Sequence, residues 1–178
     1  MAQLGRAVPA GSVMSAPPAG RPVRPDPVAA VLLLVAGGAG IWQLFAPWLK
    51  AGPATVGGGD PVARGGWQVY RALRLLPAPA PEVVWATLAV LGGAVAGGAL
   101  IVLGLAMFAP INHRPLGAAG LLISLLSMAG ALWVIMQARQ VVDLGVFGLF
   151  GQAGVGLYLF LGSGLVGLIG AWKALSTG

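Results

Sequence analysis

Cysteine is absent from the 178-residue chain. That excludes disulfides, thiolate metal sites, lipoprotein acylation and thiol redox chemistry. Charge is nearly as scarce: 8% of residues are charged, four acidic and ten basic, where a soluble domain carries about 25%. So few charges cannot cover a water-exposed surface. Histidine occurs once, as His113, so a haem held by two histidines of this chain is excluded. The acids Asp26, Asp60, Glu82 and Asp143 are scattered and do not make the ligand cluster of a metal hydrolase. No ionisable residue falls in the middle of an apolar run, whereas proton-coupled transport normally rests on a buried carboxylate. No glycine run has the strand–turn–helix setting of a phosphate-binding loop. The sequence therefore offers no catalytic, cofactor-binding or metal-ligating residue and reads as a non-enzyme.

What remains is apolar. Hydrophobic residues make up 58% of the chain and mean hydropathy is +0.91. Four apolar runs, 28–49, 83–109, 116–137 and 144–171, each reach the roughly 20 residues that span a bilayer. They predict an all-α membrane protein, a four-helix transmembrane bundle over 28–173. A basic Pro/Ala/Gly-rich tail over 1–27 is expected to be disordered, translation can start at Met1 or Met14, and 174–178 form a short tail. A signal peptide is the rival reading of the first run. The run continues past the small residues near Ala39 to Leu49, which favours a retained helix. The turns at Asn112–Pro115 and around Arg139 and Asp143 are short, so the last three spans are antiparallel neighbours.

The longest loop is 50–82. Within it, Gln68, Arg71 and Arg74 recur at helical spacing, with Trp67, Tyr70, Leu73 and Leu76 on or near another face. This reads as a short amphipathic helix in the membrane interface, the alternative being a loop with ordinary aromatics. Basic residues divide evenly between the two sides. The three arginines ahead of the first span, Arg6, Arg21 and Arg24, favour cytoplasmic termini in a bacterial plasma membrane. The tryptophans divide unevenly: Trp42, Trp48, Trp67, Trp85 and Trp133 map to the long-loop side, Trp172 to the other. A plain anchoring belt loads both interfaces. Anchoring with loop packing is one reading. The other is an aromatic platform, with Tyr70, Arg71 and Arg74, that contacts a lipid or partner. The net charge of +6 lies in tails and loops and points to anionic lipid headgroups rather than nucleic acid.

Helices in lipid associate through small residues. The candidates are Gly93, Gly97 and Gly104 in the second span, and Gly120, Ser124, Ser127 and Ala131 in the third. The first span offers Ala29, Ala36 and Gly40; the fourth offers Gly148, Gly151, Gly154, Gly164, Gly167 and Gly170. These are more small residues than four helices need for one another, so some faces are expected to meet another protein. Ser124 and Ser127 are expected to bond their own helix backbone, Gln43 and Gln152 to serve packing or hydrogen bonding, and His113 to be a solvated loop residue.

The first run ending in IWQLFAPWLK, the loop segment GGWQVYRAL, the NHRPLG turn and the glycine-rich last span together resemble small uncharacterised four-span membrane proteins of actinobacteria. The topology is also similar to that of claudins, without the paired loop cysteines, so claudin function does not carry over. The resemblance implies other membrane-protein subunits as partners. The leading functional expectation is an accessory or scaffold subunit of an envelope or respiratory complex. A lipid-binding or lipid-handling protein and a small oligomeric transporter or channel are the alternatives.

Overall fold

A computed structural model describes residues 25–48, 65–74, 81–110, 112–142, 151 and 153–177. Five helices are defined there: α1 Pro27–Trp42, α2 Gly66–Arg74, α3 Pro81–Ala106, α4 His113–Val142 and α5 Val155–Thr177. The tail over 1–24, most of the long loop, Gln152 and the early part of the expected fourth run lie outside the described residues.

Helices α1 and α4 begin where the sequence supplies a start. Asp26 caps α1, its carboxylate accepting the Ala29 N–H at 3.1 Å, and Pro27 occupies the first turn, where no N–H is needed. The Asn112 side chain accepts the Arg114 N–H at 3.1 Å and opens α4. That geometry corrects two expectations. His113, Arg114 and Pro115 belong to the first turn of α4 rather than to a loop, because proline is tolerated there. At its other end α4 runs on through Arg139, so the expected turn does not begin at that residue.

The first apolar run is helical only as far as Trp42, short of the expected Leu49. Residues Gln43–Phe45 turn instead. Ala46 precedes Pro47 and is thereby disfavoured in helical backbone. At 16 residues, α1 is about 24 Å long, less than a hydrocarbon core of about 30 Å. Among the described residues, three segments are long and apolar enough to cross a membrane: Thr87–Ala106, His113–Gln137 and Val155–Thr177.

The long helices form a ring. α1 packs on α3 and α5, and α4 closes the ring between those two. Directions alternate: the Asp26 N–H donates to Met107 O at the end of α3, and the Thr177 hydroxyl at the end of α5 donates to Asp26 Oδ2 at 2.6 Å. The surface of this ring is apolar, with Val95, Val102, Leu122, Leu126, Leu165 and Ile169 facing outward. Water would not tolerate that surface, and lipid does. The chain is an all-helical membrane bundle.

Small residues set the helix spacing. A methyl group added at Gly37 would lie 2.5 Å from Gly97 O and 2.6 Å from Ile101 Cγ1, and one at Gly40 would lie 3.1 Å from Gly93 O. Gly97 and Gly104 receive α1 in the same way, Gly104 meeting Ala30 O at 3.0 Å. Between α4 and α5, Gly120 faces Ala171, Gly164 faces Met128 and Gly167 faces Ser124. Gly93 also takes the Phe160 ring. Of the residues expected to pack the bundle, these glycines stand against a neighbouring helix; Gly154 meets the turned segment at Pro47 and Trp48 instead, Gly151 meets nothing within 4 Å among the described residues, and Gly148 lies outside them. The serines behave otherwise than expected: the buried Ser124 and Ser127 hydroxyls find no hydrogen-bond partner among the described residues. Ser124 Oγ instead lies against the bare face of Gly167. Ser163 does bond its own helix, donating to Phe160 O at 2.9 Å.

Candidate functional site at the long-loop end

The ring is closed at one end by irregular backbone. Backbone leaving a helix in a membrane must find partners within the protein. Residues 43–48 do so. Leu44 O accepts the Trp67 N–H at 2.8 Å, Trp48 O accepts the Gly154 N–H at 2.7 Å, and Pro47 O accepts the Gly156 N–H at 2.8 Å. Gln43 O accepts Trp48 Nε1–H at 2.8 Å. Glycines make these approaches possible. A methyl group at Gly65 would lie 2.8 Å from Phe45 O, one at Gly66 2.7 Å from Trp48 Nε1, and one at Gly156 2.5 Å from Trp48 Cδ1.

Trp48 is the centre of this plug. Its ring packs on Phe160, with centroids 5.9 Å apart, in a cluster with Val90, Ala131, Val134, Ile135, Ala153 and Leu157. It is buried, so it departs from the platform reading: its indole N–H is satisfied inside the protein. Gln43 is fully buried beside it. Its Nε2 donates to Val90 O at 3.0 Å, tying α1 to α3, while Oε1 has no partner among the described residues.

The other aromatics at this end face outward. Trp42, Trp67, Trp85 and Trp133 are exposed, as is Phe45 at 68%. Trp42 and Phe45 pair at 6.4 Å. Trp67 and Tyr70 stack at 5.2 Å with planes 22° apart. Helix α2 is present as the spacing predicts, but its faces divide differently. Among the described side chains, Trp67, Gln68 and Arg71 are exposed, Tyr70 is half-buried and Gly66 is buried. Positions four apart lie one above the other on a helix, so Trp67 and Arg71 share one face instead of opposing each other. The side chains of Leu73 and Arg74, and the whole of Leu76, lie outside the described residues.

The opposite end carries Asp26, Thr177, Lys173 and His113. Burial disfavours a charged Asp26, but the Thr177 hydroxyl, the Ala29 N–H, the Lys173 charge and the Val28 N–H outweigh it and hold the carboxyl below its ordinary range. His113 is buried rather than solvated, a consequence of its place at the start of α4. Among the described residues no three metal-ligating side chains cluster. Compared with protein-family models, curated proteins and solved structures, the chain matches none.

Proposed function

We propose that the chain is a non-enzymatic accessory or scaffold subunit of a larger bacterial membrane complex of the envelope or respiratory kind, with both termini cytoplasmic. The supporting observation is a set of glycines that the bundle does not use. A side chain begun at Gly38, Gly92, Gly98 or Gly162 would meet nothing within 4 Å among the described residues. Glycine inside a helix is less favourable than alanine by about 1 kcal/mol. The inward glycines recover that cost through close helix approach; the outward ones recover nothing among the described residues. A helix of another protein seated on them would, by the packing that drives association in lipid. Gly38 of α1 and Gly98 of α3 directly follow Gly37 and Gly97, which meet at the α1–α3 crossing. The two outward glycines therefore flank that crossing.

The absence of cysteine makes the test direct. Single Gly38→Cys and Gly98→Cys variants, with Val102→Cys and Leu165→Cys as controls, are expressed in native membranes and treated with a thiol crosslinker. Adducts to one defined protein from the glycine positions only are expected, with the same protein retained in native mass analysis. A strictly monomeric species with equal or no crosslinking at all four positions refutes the reading.

A further inference from the structure

Helix α2 exposes Trp67, Gln68 and Arg71. Trp67 is 44% exposed, with Tyr70 stacked on its ring. Arg71 stands one turn further along, also exposed. The helix carries Arg71 and Arg74 and no acid. It does not hang free: the Trp67 N–H is held by Leu44 O, and α2 packs along α3. This anchors it beside Trp42 and Phe45, whose exposed rings lie where α1 ends. Tryptophan and tyrosine rings favour the headgroup level of a bilayer. The cationic face of α2 is therefore held at the depth of lipid phosphates, next to an aromatic surface that suits glycerol and upper acyl chain.

We propose that the Trp67–Tyr70–Arg71 face of α2 is a seat for an anionic phospholipid, with Arg71 opposite the phosphodiester and the aromatic pair against the glycerol region. Charge complementarity selects the occupant. Aromatic rings alone anchor any lipid equally, whereas a guanidinium without a neighbouring acid on its helix discriminates by headgroup charge. Docking of α2 on Leu44 pre-arranges the seat, so binding does not have to fold the helix.

The test uses the full-length protein in mild detergent, stripped of lipid, then titrated with phosphatidylglycerol or phosphatidylcholine and read by native mass spectrometry. A charge-assisted contact corresponds to about tenfold in affinity, so phosphatidylglycerol is expected to bind about tenfold more tightly than phosphatidylcholine. Arg71→Gln brings the two lipids level, and Arg71→Lys keeps most of the preference. Trp67→Leu weakens both lipids while preserving their ratio. Arg114→Gln, which alters an exposed arginine at the other end, leaves binding unchanged. An unchanged melting temperature accompanies each variant, since the altered side chains are exposed. Equal binding of the two lipids by the native chain overturns the proposal, as does a preference that survives Arg71→Gln or disappears equally in Arg114→Gln. Displacement of phosphatidylglycerol by millimolar inorganic phosphate also overturns it, because the site would then recognise free phosphate rather than lipid.

Discussion

The two ends of the bundle are built on different principles. At the terminal end the core is Ala29, Ala30, Leu33, Ala36, Leu100, Met107, Ala171 and Ala174, mostly small side chains between closely spaced helices. At the long-loop end it is Trp48, Phe160, Val134, Ile135 and Leu157, with Val90, Ala131 and Ala153, two large aromatic rings and aliphatic side chains around a segment that has left the helix. Close backbone approach needs only the repetition of small residues along a helix. A plug of turned chain needs particular partners: a tryptophan to cap a carbonyl, a glutamine to bridge helices, glycines to admit backbone. The first device is tolerant and extended. The second is local and exacting, and it is the end that carries the exposed aromatics and α2.

The sharpest way to break this contrast is at Trp48. Trp48→Ala removes the Phe160 contact and leaves Gln43 O without its indole donor. A loss of roughly 3–5 kcal/mol is expected, read as a collapse of the thermal transition in detergent. Gly156→Ala forces a methyl group against Trp48 and Ala46 O and should loosen the same end. Unchanged melting in both variants would mean that the plug contributes little.

Next in size is the α1–α3 crossing. Gly37→Leu inserts a side chain where even a methyl group lacks room. The expected cost is about 1–3 kcal/mol or more, with loss of folded yield. Gly38→Leu, one residue along and facing open space, should leave monomer stability unchanged or slightly raised, by up to about 1 kcal/mol of recovered helix propensity. Equal damage at both positions would contradict the assigned helix faces.

The smallest effect belongs to Asp26. Its carboxyl is held below its ordinary value in the folded chain. Such a group stabilises the fold above its unfolded pKa, about 3.9, and that contribution fades as pH falls through the lower folded value. Melting followed below about pH 4 should therefore show an acid-dependent loss at the terminal end. Asp26→Asn keeps an acceptor for the Ala29 N–H but loses the charge and the second oxygen that accepts the Thr177 hydroxyl; it should cost about 1 kcal/mol at neutral pH and flatten the pH dependence. Thr177→Val should reduce the acid dependence without removing it, because the Ala29 N–H remains.

The helix crossings were largely legible in the sequence. Gly93, Gly97, Gly104, Gly120, Gly164 and Gly167 stand out by helical spacing alone, and each lies at a crossing, because small-residue packing is written in single-helix periodicity. The long-loop end was not. Trp48 looked like its neighbours Trp42 and Trp67 in a one-sided aromatic set, yet it is in the core and they are outside. Nothing local separates them; what does is the return of Gly154 and Gly156 from the far end of the chain. His113 and the Ser124 hydroxyl were misplaced for the same reason, since burial and polar partnership depend on which helix lies opposite. The shared face of Trp67 and Arg71 could have been read from their separation of four residues.

Composition and apolar run length by themselves determined that this is a helical membrane protein without thiol chemistry, because scarce charge and long apolar runs leave a chain no other solvent. The tertiary structure alone decided what the turned chain beyond α1 docks on, which tryptophan is buried, and which glycines meet a helix and which face outward. Each of those depends on contacts between residues far apart in the chain, and no local pattern encodes them.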